Sequence, residues 1–117
     1  MYRVDIDSAH RLVTVTLRGF LTIAEAEAYM AELRTAHART PALRGDFRML
    51  LDLRDAMLPS REVLAVFRER HAALPHASRL ALVTASALTR LQARRAIPHP
   101  ALAFFDTPEA ARAWLLE

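Results

Sequence analysis

Along this chain the spacing of apolar residues switches repeatedly between two and about three and a half, and that switching constrains the fold more than anything else. Tyr2, Val4 and Ile6 alternate with Arg3, Asp5 and Asp7, the rhythm of a half-buried strand. After Ser8-Ala9-His10-Arg11, Val13, Val15 and Leu17 alternate with Thr14, Thr16 and Arg18. Two such runs joined by a few polar residues predict an antiparallel hairpin.

Gly19 ends the alternation, and Thr22-Ile23-Ala24-Glu25 has the form of a capping box that opens a helix. Ile23, Ala26, Met30 and Leu33 then recur at helical spacing, predicting a helix from about Ile23 to Ala38 that stops before Pro41. Phe47 to Leu53 is a third strand, apolar enough to be buried on both faces near the centre of a sheet. A loop from Arg54 to Pro59 precedes a second helix whose core stripe is Val63, Leu64, Phe67, His71 and Leu74, with Pro75 ending it. Leu80 to Val83 is a fourth strand, and Ser86 caps a third helix carrying Leu88, Leu91 and the cluster Arg90, Arg94 and Arg95. Ala101 to Phe105 is a fifth strand. Thr107 and Pro108 open a last helix whose buried side is expected at Ala110, Ala113, Trp114 and Leu115. The order ββαβαβαβα predicts an α/β domain over residues 1–117: a mainly parallel five-stranded sheet with an antiparallel first strand.

Composition removes several functions from consideration. The 117 residues include no cysteine, which excludes disulfides, thiolate metal sites and cysteine nucleophiles and fits a reducing cytoplasm. No apolar run approaches the roughly 20 residues of a membrane span. The formal charge is only +3, and all sixteen basic residues are arginines interleaved with acids, so they read as solvated helix faces and not as a nucleic-acid patch.

Leu17-Arg18-Gly19 leading into the first helix, Leu51-Asp52-Leu53-Arg54-Asp55 closing the central strand, and the tail from Phe104 to Leu115 resemble STAS-like domains, in particular the SpoIIAA-like group. The resemblance spans nearly the whole chain. It implies the fold of the anti-sigma factor antagonists, a right-handed β-α superhelix shared with Sec14-type lipid-exchange proteins. In signalling members of that group a serine at the start of the second helix is phosphorylated within an Asp-Ser-Ser-Gly-like loop. Ser60 lies near the matching place here, but the loop is longer and that pattern is absent. As a residue, Ser60 reads as a helix cap.

No set of residues converges on an enzyme. The five histidines contain no pair at the i, i+4 spacing of two ligands on one helical face. No serine sits in a Gly-x-Ser-x-Gly elbow, and Gly19 and Gly45, the only glycines, stand too far apart to cradle a phosphate. No cofactor or metal is expected. Residues that follow parallel strands do gather on one rim, where ligands of open sheets bind. That rim should collect Asp52, Asp55, Ser60, Thr84, Ser86 and Asp106, residue types that are also the common helix-entry residues. Met57-Leu58-Pro59 is apolar in an expected loop, and either marks an interface or tucks over the sheet edge.

The reading is a non-enzymatic interaction or regulatory module whose partner is another protein or a second copy of itself. The alternative is a binding or carrier domain for a small lipid or anionic ligand. A carrier should enclose roughly a few hundred Å3 between helices and sheet. An interaction module should have a filled core and an exposed apolar patch from Met57 towards Phe67.

Overall fold

The structure, a computed structural model, describes all of residues 1–117. Strands β1 (Tyr2–Asp7) and β2 (Leu12–Leu17) form the antiparallel hairpin, with Tyr2 opposite Leu17 and Asp7 opposite Leu12. Its turn is held by Asp7, whose carboxylate accepts the His10 N–H at 3.2 Å, the His10 ring at 2.7 Å and Arg112 at 3.1 Å. Those bonds hold the Asp7 carboxyl down to about 2. Arg11 leaves the turn in a left-handed conformation (φ 53°), a conformation disfavoured for a side-chain-bearing residue. Its guanidinium anchors that geometry on the carbonyls of Ala42 and Arg44.

Helix α1 (Ile23–Arg39) opens with the expected capping box: Thr22 Oγ1 accepts the Glu25 N–H at 3.1 Å, and Glu25 accepts the Thr22 N–H at 3.2 Å. A 3-10 turn at Pro41–Leu43, which Pro41 did not announce, seats Leu43 in the core. Then follow β3 (Arg48–Asp52), α2 (Arg61–Ala72), β4 (Arg79–Val83), α3 (Ala87–Ala96), β5 (Leu102–Phe105) and α4 (Pro108–Leu115). The sheet runs in the order β1-β2-β3-β4-β5, antiparallel at its first pairing and parallel at the rest. When parallel strands are added in sequence order, crossovers of one hand place successive helices on one face. Helices α1, α2 and α3 share that face, and α4 turns back onto the other.

The alternation of the strands therefore fills two cores. Val13, Val15, Met49, Leu51, Leu80 and Leu82 pack beneath α1 to α3 with Tyr29, Leu33, Phe47 and Phe67. Leu12, Leu50, Ala81 and Val83 point the other way and close against Ala111 and Leu115. Burial on both faces is what the apolar runs of β3 and β4 required.

Two helical faces differ from expectation. Helix α4 buries Ala111 and Leu115, leaves Trp114 half-buried, and exposes Ala110 and Ala113. Three alanines, a tryptophan and one leucine give a helix little angular contrast, so its phase is set by packing on β3 and β4. Helix α3 buries only Ala93 and Ala96 and leaves Leu88 and Leu91 in solvent. Its arginines have an apolar role: Arg90 and Arg94 lie 5.4 and 5.1 Å over the Phe104 ring, covering the edge strand β5.

Candidate functional site

The parallel strands β2, β3 and β4 all end at one edge of the sheet. Beyond β2, Gly19 adopts a left-handed φ of 65°, which glycine takes without steric cost. Its N–H donates to the Asp55 carbonyl at 2.9 Å, and its carbonyl accepts the Met57 N–H at 3.0 Å. This short parallel bridge fastens the loop after β3 to the loop after β2.

Within that loop Asp52 is buried. Its carboxylate takes the Arg54 N–H at 3.2 Å and the guanidinium at 3.0 and 2.9 Å. Burial pushes the Asp52 carboxyl up, but the bonds and charge of Arg54 outweigh it and hold the group below the usual range. Asp52 is thus a clamp that shapes the loop, and the Asp55 side chain stands exposed beside it.

The other half of the rim is organised by Arg90. Its guanidinium donates to the Thr84 carbonyl at 2.9 Å and to Asp106 at 3.2 Å. Thr84 is buried, and its Oγ1 accepts the Ser86 N–H at 3.2 Å. Ser86 caps α3 through the Thr89 N–H at 3.1 Å. Thr84, Ser86 and Asp106 are therefore brought together, with Asp52 and Asp55 in the adjacent loop. Ser60 stands apart at the start of α2, where its Oγ accepts the Val63 N–H at 3.2 Å as a cap. The carboxylates Asp52 and Asp106 are paired with arginines, and the three hydroxyls serve turns and caps. Arg54 pairs with Asp52 only two residues away, inside the motif that closes β3, whereas Arg90 meets Asp106 sixteen residues on, a pairing that only the fold creates.

The Met57 loop settles at the surface. Met57 is 63% exposed and Leu58 43%, and the same edge presents Phe20 at 51% and Leu88 at 50%. The expected patch does not run along α2, because Phe67 is buried in the core and the outer face of α2 is charged. It runs across the strand ends instead, from the loop after β2 to the first turn of α3.

Beneath this surface, between the sheet and α1 to α3, lies a mostly apolar cavity of about 60 Å3, lined by Tyr29, Leu51, Met57, Phe67, Leu82 and Gln92 among others. His71, Ala96 and Ile97 separate it from a second hollow of about 160 Å3, which reaches Pro75, His76 and His99. Burial, and then the charge of His76, push His71 down to about 4, so it is neutral at pH 7. His99 is a pin between connections: Nδ1 accepts the Ala101 N–H at 2.9 Å, which leaves Nε2 to donate to the Ala77 carbonyl at 2.6 Å. His37 packs its ring 4.8 Å from Phe47, and His10 serves the hairpin turn. No three histidine or carboxylate side chains come together as a metal site, and no helix is long and apolar enough to cross a membrane.

The sequential sheet with three helices on one face and one on the other is the SpoIIAA-like arrangement, and the family's model matches residues 12–116. The chain belongs to the SpoIIAA-like family. Among solved structures it is similar to an uncharacterised protein with a SpoIIAA-like fold from Shewanella loihica PV-4 (TM-score 0.77, 18% identity, 97% of this chain and 93% of that one). It is also similar to an anti-sigma factor antagonist from Mycobacterium paratuberculosis (TM-score 0.67, 13% identity, 100% and 96%). A third similar structure is the anti-sigma factor antagonist SpoIIAA in its unphosphorylated form (TM-score 0.65, 17% identity, 98% and 97%). No curated protein matches the chain. At these identities the structures share the fold.

Proposed function

We propose that this protein is a regulatory interaction module that docks a partner protein on the apolar strand-end surface formed by Phe20, Met57, Leu58 and Leu88. The observation that carries this reading is that four large apolar side chains, from two connections and the first turn of α3, stand in solvent at one edge of the sheet. Exposed apolar groups clustered in this way, fringed by polar residues such as Asp55 and Asp106, mark interaction sites. Two similar structures are anti-sigma factor antagonists, which supports a role exercised through another protein. A cytoplasmic setting fits the cysteine-free sequence. Lipid carriage is the weaker reading, because the two hollows, of about 60 and 160 Å3, each fall short of the roughly 300 Å3 at which ligand pockets begin.

The test places a photo-reactive benzoylphenylalanine at Met57 and, in a second strain, at the exposed Arg3 of β1. Irradiation of living cells is expected to join one predominant protein, or a second copy of this chain, to position 57 and not to position 3. The same diffuse set of products from both positions would sink the docking surface.

Ser60 supplies a separate prediction. Ser60→Ala should lower stability by about 1 kcal/mol through loss of the cap, whereas Ser60→Asp, also a good cap, should stay within about 0.5 kcal/mol of the parent in urea unfolding. Both variants should bind the partner like the parent. An order-of-magnitude gap between them would mean that charge at Ser60 controls docking.

A further inference from the structure

We propose that the cavity beneath the docking surface is a binding site for a small uncharged molecule bearing a hydroxyl or primary amide on an apolar body. Tyr29 is almost wholly buried, and its hydroxyl has no hydrogen-bond partner. The Gln92 Oε1 is also buried and unpartnered. Both residues line this one cavity. Buried polar atoms in folded proteins are nearly always satisfied, and each orphan costs stability. Two orphans on residues that line the same hollow are an arrangement that a ligand can complete. The phenol offers a proton and the amide oxygen accepts one, so the complementary group must do both, as a hydroxyl or primary amide does.

The rest of the lining sets the ligand's other properties. Leu21, Leu51, Phe67 and Leu82 supply apolar walls, and no aspartate, glutamate or arginine lines the cavity. An ionic ligand would lose its hydration there without gaining a counter-charge. A space of about 60 Å3 holds roughly four to six water-sized groups, the size of a short alkyl or small ring body. Met57 belongs both to the lining and to the exposed surface, so the cavity meets solvent there. The site is independent of the docking proposal, since it can be filled or empty in the isolated chain.

The experiment titrates the isotopically labelled, isolated protein with 1-pentanol and with pentanamide, following amide resonances, with pentanoate as the charged control. Saturable shifts are expected at the Gln92 side-chain amide and in the backbone around residues 51–57 and 89–97, and pentanoate should leave these unmoved at neutral pH. Tyr29→Phe should weaken pentanol binding about three- to tenfold. It should also raise the melting temperature, because it deletes an unpartnered buried hydroxyl. Ala93→Leu, which fills the cavity, should abolish the shifts. The proposal is overturned by no saturable response up to the solubility limit, or by shifts confined to exposed Met57 and Leu58. Equal binding of pentanoate, or parental affinity in Tyr29→Phe, would overturn it as well.

Discussion

Phe47→Ala is expected to cost about 3–5 kcal/mol of folding stability, while Phe20→Ala should cost less than about 0.5. The two truncations remove the same atoms from opposite environments. Phe47 is fully buried just before β3, 4.8 Å from the His37 ring. Its carbonyl holds the next connection by accepting the Ser78 N–H at 2.8 Å and the Ser78 hydroxyl at 3.0 Å. Deleting the ring leaves a void in the larger core, whose walls are fixed by the sheet. The Phe20 ring already stands half in water, so its loss opens no void. Urea unfolding checks both: the midpoint should fall steeply for Phe47→Ala with little change of slope, and barely move for Phe20→Ala. Similar losses in both variants would mean that Phe20 belongs to the core and the docking surface is smaller than described.

Acidification supplies the second large effect. His71 is held down to about 4 by burial and by the charge of His76, against about 6.5 in an unfolded chain. Between those values the unfolded state binds the extra proton, so stability falls as pH drops through the window from about 6.5 to 4. The shift corresponds to about 3 kcal/mol across the whole window. His37, also lowered by burial, adds a contribution of the same sign. Asp7 does not confuse the window, because its carboxyl, at about 2, loses its stabilising bonds only below about pH 4. Urea unfolding at pH 7.5 and 4.5 should therefore show a marked loss in the parent and a much flatter response in His71→Gln. An unchanged pH response in that variant would place the proton uptake elsewhere.

The sheet and its helices were legible because each strand and helix carries its own rhythm, and rhythm is local. Cap chemistry is local too, so Thr22, Ser60, Ser86 and Thr107 could all be placed from sequence and all cap helices in the structure. What escaped was decided by packing. The phase of α4 could not be read from a run dominated by alanine, and Leu88 and Leu91 looked like any apolar helix pair until α3 turned only small alanines inward. The candidate surface was half visible: Met57 and Leu58 are anomalous for a loop, but Phe20 and Leu88 join them only through the order of the strands. The unpartnered atoms of Tyr29 and Gln92 left no trace in the sequence, because an unfilled space depends on how side-chain shapes meet in three dimensions.

The apolar strand-end surface is most directly tested by the dissociation constant of the complex with the protein that crosslinks to position 57. Replacing Met57 and Leu58 together with aspartate puts two charges where two apolar side chains would be buried. That should weaken the complex at least about 100-fold while the unfolding midpoint stays near the parent's. A double variant that folds and binds its partner as tightly as the parent would contradict the account.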